Sequence, residues 1–205
     1  MPAATLRTWA IGRAYPVTDG KGRFQPLIRP ASGRPPLLSF WNLIEAHVLR
    51  ALRTEQGVAL RAVRQAITYS EKELDLDRLL LSPRLRSRAG ELFLERYGEL
   101  INLSRSGQIA MRQVLEAHLV RIEWDGHQFP IRLHPFLSRE IPDPSMPVVI
   151  DPAVQFGRPI VTRHGISTAA IVGRIDAGER PEDIAADYGM TAHDVAQAVL
   201  YERAA

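Results

Sequence analysis

Near the end of the chain a tight pattern restricts the fold more than any other stretch: Ile184-Ala185, Tyr188-Gly189-Met190 and Val195. An apolar residue followed by a small one, then a glycine, then a second apolar run is the spacing of two helices joined by a short turn. Ala185 is small where the helices must approach closely. Gly189 supplies the left-handed backbone the turn needs. Thr191 and Asp194, three residues apart, form a capping pair for the second helix, and Pro181 opens the first. Such a unit presents its second helix to DNA, packs against a partner protein, or serves only as a small helical core.

Upstream, Ser39 precedes an apolar stripe through Leu43, Ala46, Val48, Leu49 and Leu52, ended by Gly57. A second helix is predicted over 59–74, with Leu60, Val63, Ala66 and Ile67 inward. Residues 3–10 read as the end of a helix, and Gly12 to Pro36 as an extended arm or wing. Short apolar stretches broken by Gly90, Gly98 and Gly107 suit a small sheet over 82–110, and helical spacing returns over 111–121. Ile122-Glu123-Trp124, Asp125-Gly126 and Phe129 to Leu133 read as a β-hairpin. The fold class is therefore mainly α with small β-hairpins (α+β). An N-terminal domain spans 1–136, a proline-rich linker 137–147, and a three-helix C-terminal helix-turn-helix module 148–205.

Charge separates the two ends. Residues 1–38 hold six basic groups and one acid, for +5, whereas 151–205 hold five arginines and eight carboxylates, for −3. A basic head suits phosphates and an acidic tail suits a cationic protein. Arg7, Arg13, Lys21 and Arg23 are the candidate phosphate contacts, and His193, Asp194, Gln197 and Arg203 form the exposed face of the last helix. Of these, His193, Gln197 and Arg203 are assigned to DNA. Glu182, Asp183, Asp187 and Asp194 are the candidate partner-binding carboxylates. Chemistry is harder to find. There is no cysteine, no glycine-rich phosphate loop, and no spacing among the six histidines that builds a metal site. Glu71, Glu73, Asp75 and Asp77 cluster at a helix end and read as its solvated tip. The expectation is a cytoplasmic, non-enzymatic protein with no cofactor, no secretory signal and no membrane span.

Asp151-Pro152, Gly157-Arg158-Pro159, Ile160-Val161, Pro181-Glu182-Asp183-Ile184-Ala185, Asp187-Tyr188-Gly189 and Ala198-x-x-Tyr201 together resemble the three-helix family called domain of unknown function 433. The chain departs from that pattern at Arg163-His164-Gly165 and at Arg180, where a capping Ser is common. Upstream, Ala4 to Trp9, Pro26-Leu27-Ile28, Leu38-Ser39-Phe40, Leu43-Ile44-Glu45 and Asn102-Leu103-Ser104 resemble the long VapB-type antitoxins that carry this tail. In those relatives the N-terminal part is a MerR-like winged helix-turn-helix, and Thr5–Trp9 resembles the end of its recognition helix. The resemblance thus implies a partial winged helix-turn-helix-like domain over 1–136 that lacks the first helix of that unit. The resemblance implies an antitoxin that neutralises a PIN-domain ribonuclease toxin, represses their shared operator DNA, and works as a homodimer. The alternative is a stand-alone MerR-like transcription regulator, its middle part a ligand or dimerisation platform lined by Trp9, Phe40, Trp41 and Trp124.

Overall fold

The computed structural model describes residues 2–18, 20–55, 60–73, 78–81, 112–113, 115–135 and 145–204. The small sheet expected over 82–110, Gly57, Asp75 and Asp77 lie outside these, as does most of the stretch read as a linker. The chain divides into two compact units, one of residues 1–120 with 126–130, the other of 121–125 with 131–205. Helix and antiparallel sheet are both present, as an α+β class requires.

The first unit opens with α1 (Ala3–Ile11), whose Trp9 and Ala10 are buried. Gly12, at φ 84°, turns the chain into a hairpin of β1 (Arg13–Val17) and β2 (Gly20–Phe24). Gly22 pairs with Tyr15 across this ladder, and a β-carbon there would fall 2.6 Å from the Tyr15 ring. The missing side chain is the space the ring occupies. A two-residue ladder, β3 (Ser32–Gly33) and β4 (Pro36–Leu37), leads to α2 (Phe40–Arg50). Ser39 caps α2 with a reciprocal pair: Asn42 N–H donates to Ser39 Oγ, and Ser39 N–H donates to Asn42 Oδ1 at 2.9 Å. Replacing Ser39 with Ala is expected to cost about 1 kcal/mol, or a melting temperature lower by about 2–4 °C. Thermal melts of the full chain read that loss; an unchanged melt would mean the cap is not limiting. Past Arg50 the helix widens into a π-turn at Ala51–Glu55, with Ala51 and Leu52 still buried in the core. It has thus left regular α geometry before reaching Gly57. The next helix, α3 (Leu60–Glu73), buries Val63, and a 3₁₀ turn buries Leu79–Leu81. Residues 115–119 are helical.

The second unit has a four-stranded sheet in the order β5 (Ile122–Trp124), β6 (Pro130–Leu133), β7 (Val148–Ile150), β8 (Pro159–Val161). The hairpin expected at 122–133 forms, but its turn is not the two-residue Asp125-Gly126 type. Five residues join the strands, and the left-handed one is Gln128 at φ 65°. Pro130 opens β6, a position where the missing N–H is tolerated. Three helices follow: α4 (Thr168–Asp176), α5 (Pro181–Tyr188) and α6 (Ala192–Ala204). Ser167 caps α4 and Gly178, at φ 92°, lies two residues beyond its end. Gly189, at φ 63°, ends α5, and Thr191 and Asp194 cap α6 reciprocally. Val161, Ile171, Ile184, Ala185, Met190, Val195 and Ala198 form the core, with Ile166, Ile175 and Tyr188 packed on it. No described helix is long and apolar enough to cross a membrane.

Candidate partner-binding surfaces

On the basic head, pleating separates the cations. Arg13 pairs with Phe24, whereas Lys21 pairs with Pro16 and Arg23 with Ala14. Paired residues share a face and neighbours alternate, so Lys21 and Arg23 stand together on one face and Arg13 on the other. All three are exposed, as is Arg7 on α1. Arg7 edges an apolar groove of about 170 Å³ lined by Ala3, Leu6, Ala10, Ile11, Pro36 and Leu38. The hairpin is braced at its end by Arg64 of α3. Its guanidinium donates to the carbonyls of Gln25 and Pro26 and lies 5.1 Å from the centre of the Phe24 ring. Burial pushes the Arg64 pKa down.

The aromatic residues considered for a ligand platform do not share one environment. Trp9 is 2% exposed and belongs to the core, while Trp41, 37% exposed, stacks on Phe129 with ring centres 5.3 Å apart. Beneath them lies a polar cluster. Glu45, on the buried side of α2, receives Arg78 Nε at 3.1 Å, Arg78 Nη2 at 2.9 Å and Asn42 Nδ2 at 2.9 Å. Asn42 is wholly buried and also donates to the Arg29 carbonyl at 2.7 Å. Glu71, from the acidic tip of α3, pairs with Arg29 at 2.8 Å.

The carboxylates expected to face a partner divide in the tail. Asp187 is held by Arg174 at 2.6 Å, and Glu179 takes the same guanidinium, which also lies 5.0 Å from the Tyr188 ring centre. Glu179 holds the Arg174 pKa above its ordinary value, with Asp187 and Tyr188 adding to it. This cation ties α4 to α5. Asp194 is spent on the Thr191 cap and lies 3.6 Å from His164, the residue of the unusual Arg163-His164-Gly165 turn. Burial would raise the Asp194 carboxyl; the Thr191 hydroxyl and N–H, with His164 and His193, outweigh it and hold it low. Glu182 is exposed beside Arg180 at 3.6 Å, and Asp183 is exposed in the first turn of α5. Both suit the positive end of that helix. Arg180, at the N-cap, makes no side-chain cap bond.

On α6 the outward stripe is His193, Ala196, Gln197, Leu200 and Arg203. His193 and Gln197 touch through their nitrogens at 3.3 Å, Leu200 is 44% exposed at the centre, and Arg203 sits in the last turn. A stripe with one arginine and a central leucine matches a protein contact better than a run of phosphates.

Sequence reasoning missed what lies under Asp151. Its carboxylate accepts Arg132 Nε at 2.6 Å and the Ala153 N–H at 2.8 Å, and the residue is 6% exposed. Arg132 also reaches Glu123 at 3.1 Å, and Glu123 meets His134 Nε2 at 2.6 Å. Burial would raise both carboxyls. Arg132 with the Ala153 amide holds Asp151 below the ordinary range, and His134 with Arg132 does so for Glu123. His134 Nδ1 and Trp124 Nε1 are buried without a hydrogen-bond partner. Among the described residues no group of three His, Asp or Glu side chains could hold a metal ion.

Known proteins resemble this chain along its length. The family described as "Protein of unknown function (DUF433)" matches residues 148–201. A Mycobacterium tuberculosis (strain H37Rv) protein named "Putative antitoxin VapB45" is 30% identical over 210 residues, covering 93% of this chain and 84% of that protein. A second protein of that strain, the uncharacterized Rv2308, is 26% identical over 99% of this chain and 85% of its own length. The crystal structure of Rv2018 from Mycobacterium tuberculosis has the same fold, with a TM-score of 0.65 at 23% identity, covering 97% of this chain and 91% of that one.

Proposed function

This chain belongs to the antitoxin-like family of VapB45, and from that premise we propose that it is the antitoxin of a type II toxin–antitoxin pair. Its partner is a PIN-domain ribonuclease from the same operon, and the chain works by contact, not by covalent chemistry. The observation that carries the reading is the likeness to the VapB45 protein over nearly the whole of both chains. The charge pattern supports it: a ribonuclease needs a basic groove for RNA, and a module of net charge −3 at residues 151–205 complements such a groove. Asp194 is taken up by the Thr191 cap, whereas Glu182, Asp183 and Asp187 are all exposed on α5, Asp187 while still paired with Arg174.

In the same reading a homodimer represses the shared promoter. The order α1 then β1–β2 follows the recognition-helix-then-wing arrangement of a MerR-like head, and Lys21 and Arg23 on one hairpin face are its wing contacts to phosphate. Co-expressing the chain with the product of its neighbouring reading frame tests the proposal. Growth arrest by that product alone, relieved by this chain in a stable complex, supports it. A chain that binds its promoter yet relieves nothing is a stand-alone regulator instead. Promoter affinity that does not fall between about 50 and 200 mM salt would remove the phosphate contacts.

A further inference from the structure

Phe156 is 98% exposed, whereas every other exposed large apolar side chain among the described residues lies between 36% and 56%. It stands at the tip of the loop joining β7 to β8. The loop is locked from within. The Asp151 carboxylate accepts the Ala153 N–H, Val154 N–H donates to the Asp151 carbonyl at 3.1 Å, Gly157 N–H to Val154 at 3.0 Å, and Arg158 N–H to Gln155 at 3.1 Å. Arg132 anchors the base through Asp151. Gln155 and Phe156 are both left-handed, at φ 48° and 57°, as is Gly157 at 74°. Single exposed apolar residues are common. An aromatic ring held wholly in water on two consecutive unfavourable backbone conformations is not, and such outliers gather where a surface is shaped for a ligand.

Charge decides which kind of ligand. A base-stacking ring works beside a cationic track, but this ring belongs to a module of net charge −3, with Arg158 the one cation in its loop. A protein pocket, apolar within and set in a basic surface, meets both the ring and the field. We propose that Phe156 is the anchor by which the tail docks into such a pocket on the ribonuclease toxin, an inference that rests on the antitoxin reading above. Because the loop is already rigid, docking orders little further and the affinity gathers on one side chain.

The test is the affinity of full-length Phe156→Asn and Phe156→Trp variants for the tagged product of the neighbouring reading frame. Asn accepts the left-handed backbone, so the loop persists without the ring; Trp keeps an aromatic anchor. Asn is expected to weaken binding at least tenfold, on the order of 30-fold, with an unchanged melt, and Trp to stay within a few-fold of the parent. Equal binding by parent and Asn variant overturns the anchor while leaving the antitoxin reading standing. A parent chain that does not bind that product at all removes both. Two other losses in the Asn variant would also overturn the proposal by naming a different occupant: dissociation of the chain's own dimer on a sizing column, or lost binding to a single-stranded oligonucleotide.

Discussion

Replacing Arg78 with Ala is expected to destabilise the first unit by about 3–5 kcal/mol, the usual loss when one partner of a buried ion pair is removed. Glu45 is 4% exposed, and both its oxygens are engaged by Arg78. Without the guanidinium it keeps, among the described residues, the Asn42 amide, and a buried carboxylate is left without its counter-charge. Glu45→Ala is milder, because Arg78 is 25% exposed and can turn to water. The decisive variant is the double Glu45→Leu/Arg78→Leu. Buried pairs exchanged for apolar residues of similar volume are often neutral or better, so it should recover most of what Arg78→Ala loses. Urea unfolding of the parent, Arg78→Ala, the two Leu single variants and the Leu double reads the cycle. Additive losses would show that the two side chains act separately, and a loss under about 1 kcal/mol for Arg78→Ala would mean that water reaches Glu45.

Local signals were legible in the sequence because their partners lie within one turn. Ser39, Gly189, and Thr191 with Asp194 each act on groups three or four residues away, and each sits where its spacing places it. Glu45 was not legible: a carboxylate beside Ile44 on an amphipathic helix reads as surface, and its cation is 33 residues on. The same limit explains the tail carboxylates. Asp187 and Asp194 read as partner-binding carboxylates, and their ties within the chain were not legible, since Arg174 lies 13 residues from Asp187 and His164 meets Asp194 from a distant turn. Phe156 is the inverse case: nothing in the spacing around Gly157 marks this aromatic residue as exposed. Only the left-handed turn around it turns the ring outward.

Replacing Asp151 with Ala is expected to cost the second unit about 1.5–3 kcal/mol near neutral pH, the worth of hydrogen bonds to a charged group. Two donors lose their acceptor, Arg132 Nε and the Ala153 N–H, and with them the strand β6 loses its tie to the Phe156 loop. The pH dependence separates charge from shape. The Asp151 carboxyl is held below its ordinary value in the folded chain, so its contribution is complete above the unfolded value of about 3.9 and fades as pH falls through the lower folded one. Parent and Ala variant should therefore differ most between about pH 5 and 8 and converge as pH falls through the folded value. Asp151→Asn keeps an acceptor for the Ala153 amide and loses the charge, so its stability should lie between the two and change less with acid. Glu123 contributes in the same direction but less, being 41% exposed. Denaturation midpoints measured across that range decide the matter. A gap that stays constant from pH 7 to pH 3 would show that Asp151 acts through packing alone, and the Arg132 tether would then not be what holds the loop under Phe156.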